Sequence, residues 1–224
     1  MDPDRRIAAV IFDLDGVILD SESVWVETKR DFTEESGGHW KQSAKWDMLG
    51  MSSIEWSRYM HDELDVPVAP ERISEEVAAR VVARYHQHLP LLPGAVESVR
   101  ALASEWQLGL ASSSNRNVID LVLDEAGIAG CFAATVSSEE VPAGKPAPDV
   151  YLEAASRLRV EPAECAAVED SSNGLRSAHA AEMTVIAIPN KDFPPERDAL
   201  ALADLELDSL EKLSPERVEA LARQ

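Results

Sequence analysis

Cysteine is scarce in this 224-residue chain: Cys131 and Cys165 are the two it has. Neither belongs to a CxxC pair or a metal-ligand spacing, which argues against a thiolate metal site and for two buried, reduced thiols in strand-like runs. Histidine and cysteine form no cluster that would suit zinc. Basic residues are also short, with 21 Lys+Arg against 41 Asp+Glu and a formal net charge of −20. Nucleic acid and anionic membrane surfaces both reward a basic face, so neither is an expected partner. An anionic substrate would have to be drawn in by a local cation against the overall field. The apolar run at 7–12 is far too short to cross a membrane. The opening MDPDRR is charged, and the run behind it is interrupted by Asp13, so it does not read as a signal peptide. A cytoplasmic, monomeric protein is the expectation. Internal repeats and low-complexity tracts are missing too. What remains is ordinary globular composition, 45% hydrophobic and 28% charged, in a length that fits one large domain or a core with a smaller insertion.

The stretch IAAVIFDLDGVILD organises the chain. A buried strand over Ile7 to Phe12 delivers Asp13 and Asp15, then the breaker Gly16. Residues i and i+2 of an extended segment point the same way, so both carboxylates can reach one reaction centre. Two such groups at the end of an apolar strand repel each other unless a cation or a shared proton relieves them.

From Ser21 to about Leu89 the pattern is helical, with almost no strand-like alternation. Trp25, Lys29 and Phe32 share a helical spacing. A helix is expected over Glu75 to His88, with Ser74 as N-cap and Val77, Val81, Val82 and Tyr85 as its apolar stripe. Pro67, Pro70, Pro90 and Pro93 punctuate the region, and Leu-Pro-Gly at 92–94 closes it. The expected organisation is therefore a core of residues 1–18 and 92–224 carrying a helical insertion over 19–91. Beyond Ala95 strands and helices alternate: helix 96–104, strand 108–111, helix 118–126, strand 132–136, helix 150–158, strand 165–168, helix 172–181, strand 184–188. Ser214-Pro215 opens a closing helix. This rhythm, with apolar strands, predicts an α/β fold with a Rossmann-like parallel sheet and helices on both faces. Ligands of such sheets sit beyond the carboxyl ends of the strands. Asp13/Asp15, Ser112 and Glu169/Asp170 all follow apolar strands and should line that edge.

Lys145, in the Gly-Lys-Pro loop of AGKPAPD, is the only lysine between Lys45 and Lys191 and is placed to supply positive charge there. Ser112, with the backbone N–H groups of Ser113 and Ser114, could cradle phosphate oxygens, or the SSSN stretch could simply cap a helix; the donors are the same atoms. Asp13, Asp170 and Glu169, with the Asp15 carbonyl, make an all-oxygen set suited to Mg²⁺. A calcium loop is disfavoured, since the EF-hand spacing and its terminal Glu are missing.

Taken in order, DLDGV at 13–17, Ser112, Lys145 in GKPAPD, and Glu169-Asp170-Ser171 resemble the four motifs of the haloacid-dehalogenase-like hydrolase superfamily, and most nearly its β-phosphoglucomutase-like phosphatase branch. The resemblance covers nearly the whole chain and implies a mobile helical cap inserted after the first motif. It implies that Asp13 is a nucleophile forming an aspartyl-phosphate, that Asp15 is the acid and then the base, and that Ser112 and Lys145 hold phosphoryl oxygens beside Mg²⁺. Dehalogenases of the superfamily need no second acid at Asp15. The phosphonate-cleaving branch needs a cap lysine, for which Lys29, Lys41 and Lys45 stand in no matching context. The mutases carry a cap histidine where Trp25 stands, and a lysine before the cap glycine where Leu49-Gly50 stand. Glu182 replaces a usual glycine, at an expected cost to local stability alone.

The expectation is a Mg²⁺-dependent phosphatase of a small phosphomonoester such as a sugar phosphate. A sugar-phosphate mutase is the alternative enzyme, and a non-catalytic phosphate-binding or regulatory protein the alternative class. Substrate choice is expected from Glu22, Trp25, Leu49, Gly50, Met51 and Ser52, with Trp25 and Trp56 more ordinarily core. No cap anchor for a second phosphate is evident, so monophosphates should be preferred to bisphosphates.

Overall fold

The structure, a computed structural model, describes residues 6–222. All but Arg6 of the MDPDRR opening therefore lies outside the described residues. The elements run β1 (Ala9–Phe12), α1 (Glu22–Glu35), α2 (Ala44–Asp47), α3 (Ser53–Glu63), α4 (Pro70–Tyr85), α5 (Ala95–Ala103), β2 (Gln107–Ser112), α6 (Arg116–Glu125), β3 (Phe132–Ser137) and α7 (Asp149–Leu158). They continue with β4 (Cys165–Glu169), α8 (Ser172–Ala180), β5 (Thr184–Ala187), α9 (Arg197–Leu200), β6 (Leu205–Glu206) and α10 (Pro215–Leu221).

One six-stranded sheet has the order β3-β2-β1-β4-β5-β6, and each of its pairings is parallel. The expected α/β architecture is thus the observed one. Strand residues alternate between two cores because successive side chains point to opposite faces. Val10, Phe12, Leu108, Leu110, Ala166 and Val168 join one core, which runs on into the helices α1, α3 and α4. Ala9, Ile11, Ala111, Val136 and Ala167 join the other, under α7 and α8. Both faces are covered, so the central strands are mainly apolar between their ends, as parallel strands are.

Four helices fill the span between β1 and α5, with no strand among them. Ser74 is not an N-cap: α4 begins five residues earlier than expected, with Ala69 as N-cap and Pro70 in its first turn. Proline suits that place because the N–H it lacks would have no partner there anyway. Ser74 instead receives a hydrogen bond from Asn115 Nδ2 (2.9 Å), tying α4 to the start of α6. Val77, Val81 and Tyr85 are buried as the stripe requires, while Val82 is half-buried. Cys165 is buried at the head of β4, but Cys131 ends a single helical turn before β3 and is half-exposed; both thiols are free. The short α9 and β6 had no sequence signal, being four and two residues long.

Candidate active site

The chain leaves β1 at Phe12 and turns at once. Gly16 has φ +74°, its N–H donates to the Leu19 carbonyl (2.8 Å), and the Leu19 N–H donates back to Leu14 (3.1 Å). This turn needs a glycine for a second reason: a Cβ there would lie 1.9 Å from Asp170 Oδ2. The strand-end acids of β1 and β4 are thereby allowed to meet. Ligand oxygens of Asp13, Glu169 and Asp170 all lie within 4.8 Å of one another, and the three residues are buried.

One ammonium offsets them. Lys145 Nζ is 3.0 Å from Asp13 Oδ1 and 2.6 Å from Glu169 Oε1. Glu169 Oε1 also accepts from the buried Tyr151 hydroxyl (2.7 Å), and Oε2 from the Asp170 N–H (3.1 Å). Gly174 leaves the space for this, since a Cβ on it would fall 1.9 Å from the Glu169 carboxylate. Three carboxylates against one lysine leave surplus negative charge in a buried place. Burial pushes Asp13 up to about 8; Lys145 opposes this, while Glu169 and Asp15 add to it. Burial and then Glu169 hold Asp170 well above the usual carboxylate range. Burial pulls Lys145 down, but Asp13 and Glu169 outweigh it and raise its affinity for the proton.

Asp15 is built differently. Its Oδ1 accepts from the Trp25 indole Nε1 (3.1 Å) and its Oδ2 from the Ser114 hydroxyl (2.6 Å). It is not part of the carboxylate cluster. Asp13, Asp15, Lys145 and Asp170 nevertheless line one cavity of about 70 Å³, several times the space one water needs. Its far wall comes from the helical insertion: Glu22, Trp25, Lys29, Met48, Gly50, Met51 and Trp56.

The structure corrects the sequence reading at several positions. Ser113 and Ser114 line the cavity but Ser112 does not; its hydroxyl is fully buried and accepts the Ser114 N–H (3.0 Å), which is therefore already spent. Ser52 is not on the wall. It caps α3 in a reciprocal capping box with Glu55 and packs against Gly144. Leu49 lines a neighbouring cleft with Trp46, Phe193 and Pro194. Sequence reasoning missed Tyr151, the bond from the Ser114 hydroxyl to Asp15, and the place of Lys29 on the cavity wall. The spacing of Lys29 four residues after Trp25 was visible, but nothing in it said that their shared face looks into the site. The cap therefore brings one cation to the cavity, since Lys29 lines it.

Comparison with known proteins bears on this geometry. The model of the haloacid dehalogenase-like hydrolases matches residues 7–182. The chain belongs to that family. It is 35% identical over 219 residues to hexitol phosphatase B of Escherichia coli K12, covering 96% of this chain and 97% of the relative. It is 28% identical over 194 residues to fructose-1-phosphate phosphatase YqaB of the same organism, covering 82% and 97%. Among solved structures, β-phosphoglucomutase of Clostridium difficile superposes with a TM-score of 0.81 at 25% identity, covering 96% and 97%. The matched family segment begins at the strand that delivers Asp13 and ends at Glu182, so it contains all of the core site residues. The protein is an enzyme of the phosphoric monoester hydrolase kind, in the β-phosphoglucomutase-like branch. No helix among the described residues is long and apolar enough to cross a membrane.

Proposed function

We propose that the protein is a Mg²⁺-dependent phosphatase of a sugar or sugar-alcohol phosphate, working through an aspartyl-phosphate on Asp13. The observation that carries this is the placement of Asp13 and Asp15 on one cavity, with Lys145 Nζ 3.0 Å from the Asp13 carboxylate. The substrate class follows the activities for which two relatives are named, a hexitol and a fructose-1-phosphate phosphatase.

In the first step an Asp13 oxygen attacks phosphorus and the bond to the alcohol oxygen breaks, that oxygen taking a proton from Asp15. In the second, Asp15 removes a proton from water, whose oxygen attacks phosphorus and frees Asp13 and inorganic phosphate. Each Asp15 oxygen accepts one hydrogen bond, from Trp25 or from Ser114, and keeps a second lone-pair site on which it can carry the proton it gives. Lys145 stays charged throughout and binds the phosphoryl oxygens that arrive beside Asp13. Glu169, occupied by Lys145, Tyr151 and its own backbone turn, is a positioning residue for that lysine.

The all-oxygen cluster of Asp13 and Asp170 fits a hard divalent cation, with the Asp15 carbonyl as a further ligand and Glu169 supporting. Beyond its ion pair with Lys145, Asp13 Oδ1 has no hydrogen-bond partner although it is buried, which is an opening for a metal ligand. When bound, Mg²⁺ would neutralise charge on the phosphoryl group and on the carboxylates. The helices over 19–91 would act as a cap on a core of 1–18 and 92–224, and a monomer in the cytoplasm suffices for this chemistry.

A mutase is the second reading, favoured by the likeness to β-phosphoglucomutase. Against it, Trp25 meets Asp15 with an indole N–H, a group that does not exchange protons near neutrality. One assay decides: phosphate release from a panel of phosphorylated metabolites, with Mg²⁺ or EDTA, beside Asp13→Asn. Metal-dependent release that vanishes in the variant is expected. Conversion of β-glucose 1-phosphate to glucose 6-phosphate without release would make the protein a mutase instead.

A further inference from the structure

Lys29 is a buried ammonium that the chemistry above does not use. It stands on α1, 8% exposed, and lines the same cavity as Asp13. Its Nζ lies 5.4 Å from the Trp25 ring centre and 4.9 Å from that of Trp56, two indoles packed 6.0 Å apart. Such faces cushion a cation but accept no strong hydrogen bond. Among the described residues its ammonium makes no ion pair or hydrogen bond, and meets only the two indole faces. Lys145, the cavity's other cation, is already committed to Asp13 and Glu169. Glu22, two turns earlier on the same helix, lines the same wall, and its carboxylate and that of Asp15 are the acids that act on Lys29.

A buried lysine is rarely kept without a partner, because desolvating it costs far more than a packed apolar side chain would. Its partner is therefore a ligand. A second phosphate is a poor match: Lys29 offers one positive charge, which Glu22 beside it cancels when ionised, and the surrounding acids repel a dianion. A hydroxyl is a good match, since it accepts from an ammonium and donates to a carboxylate at once. Burial, holding Glu22 up near 7 and Lys29 down near 8, is consistent with groups that hydrogen-bond to a neutral ligand without a large net field.

We propose that Lys29, together with Glu22, is the hydroxyl-recognising clamp of this site, reading the polyol portion of the phosphomonoester whose phosphate sits at Asp13. This rests on the phosphatase reading and adds the chemical feature that the cap selects.

The test compares wild type, Lys29→Met and Lys29→Gln on a hexitol phosphate, on deoxy analogues of it, and on p-nitrophenyl phosphate, which has no alcohol hydroxyl. In wild type the hexitol phosphate should exceed at least one deoxy analogue. Lys29→Met should lower kcat/KM for the hexitol phosphate relative to p-nitrophenyl phosphate by about tenfold or more, chiefly through KM, as expected for a lost hydrogen bond to a charged group. It should also erase the discrimination against that deoxy analogue, and Lys29→Gln, which keeps a donor, should restore part of it. Thermal unfolding of each variant, followed by circular dichroism, separates these losses from misfolding. Equal losses on all substrates, or wild-type discrimination that survives in Lys29→Met, would overturn the clamp. So would a wild-type preference for bisphosphates that Lys29→Met abolishes. Persistence of activity in Asp13→Asn would instead sink the aspartyl-phosphate reading, independently of Lys29.

Discussion

Glu182 follows α8 with φ +62°, in the left-handed region where a side chain crowds its own carbonyl. It is exposed and lies well away in sequence from the site residues, in the turn that returns the chain from α8 to β5. Its N–H donates to the His179 carbonyl (2.9 Å), so the turn is formed and the strain is local. Glu182→Gly should therefore raise stability by about 1 kcal/mol, the usual scale of the left-handed penalty, and leave kcat unchanged. A shift of the urea midpoint with constant slope would show it; a shift toward lower urea would refute the strain account. Glu169 is the contrasting case. Its carboxylate is fully buried yet accepts from Lys145, Tyr151 and the Asp170 and Ser171 N–H groups, so its cost is met by partners and not by exposure.

At the scale of elements, α1 does two things from one face. Trp25 donates to Asp15, while its ring and that of Trp56 hold the Lys29 ammonium. Ser114, beyond the end of β2, holds the other Asp15 oxygen, so the carboxylate proposed as general acid is fixed between the cap helix and the core loop. Trp25→Phe keeps a smaller aromatic face and removes the N–H that Asp15 accepts. We expect kcat to fall about tenfold, the worth of one hydrogen bond to a charged group, with KM less affected. A variant that loses only KM would show that the indole serves binding and not Asp15. The same bond ties cap to core through Asp15, and the Asn115–Ser74 bond adds a second tie.

Over the whole molecule the excess of acid, −20 in formal charge, is at its most costly where three carboxylates are buried together. Asp13 and Asp170 are raised by folding, so between the ordinary carboxylate range and about pH 8 the folded protein binds protons that the unfolded chain has released. The stability these groups allow is full below the unfolded values and is lost as pH rises through the folded ones. The proposed divalent cation would take the place of these protons. In EDTA, Tm should therefore fall from about pH 5 to about pH 8, and the gain from Mg²⁺ should be larger at pH 8. Differential scanning fluorimetry at the two pH values would check this, and a gain larger at acid pH would contradict it.

The strand-end placement of Asp13, Asp15, Lys145 and Glu169-Asp170 is legible in the amino-acid sequence, because it follows from two local rules: alternation along a strand and ligand binding at the carboxyl edge of a parallel sheet. The run Ile7–Phe12 and the βαβ rhythm are enough to apply both. Helical periodicity likewise places Trp25, Lys29 and Phe32 on one face. It cannot say what that face meets, because the packing of α1 against the core depends on contacts made by α3 and α4 and by the loop after β2, far away in sequence. Ser114 rather than Ser112 reaching the cavity turns on one hydrogen bond within a loop, and Tyr151 meeting Glu169 turns on how α7 lies across the sheet. The sequence by itself determined which chemistry is brought to one edge. Only the tertiary structure decided which groups are already paired there and which, like Lys29, are left facing the ligand.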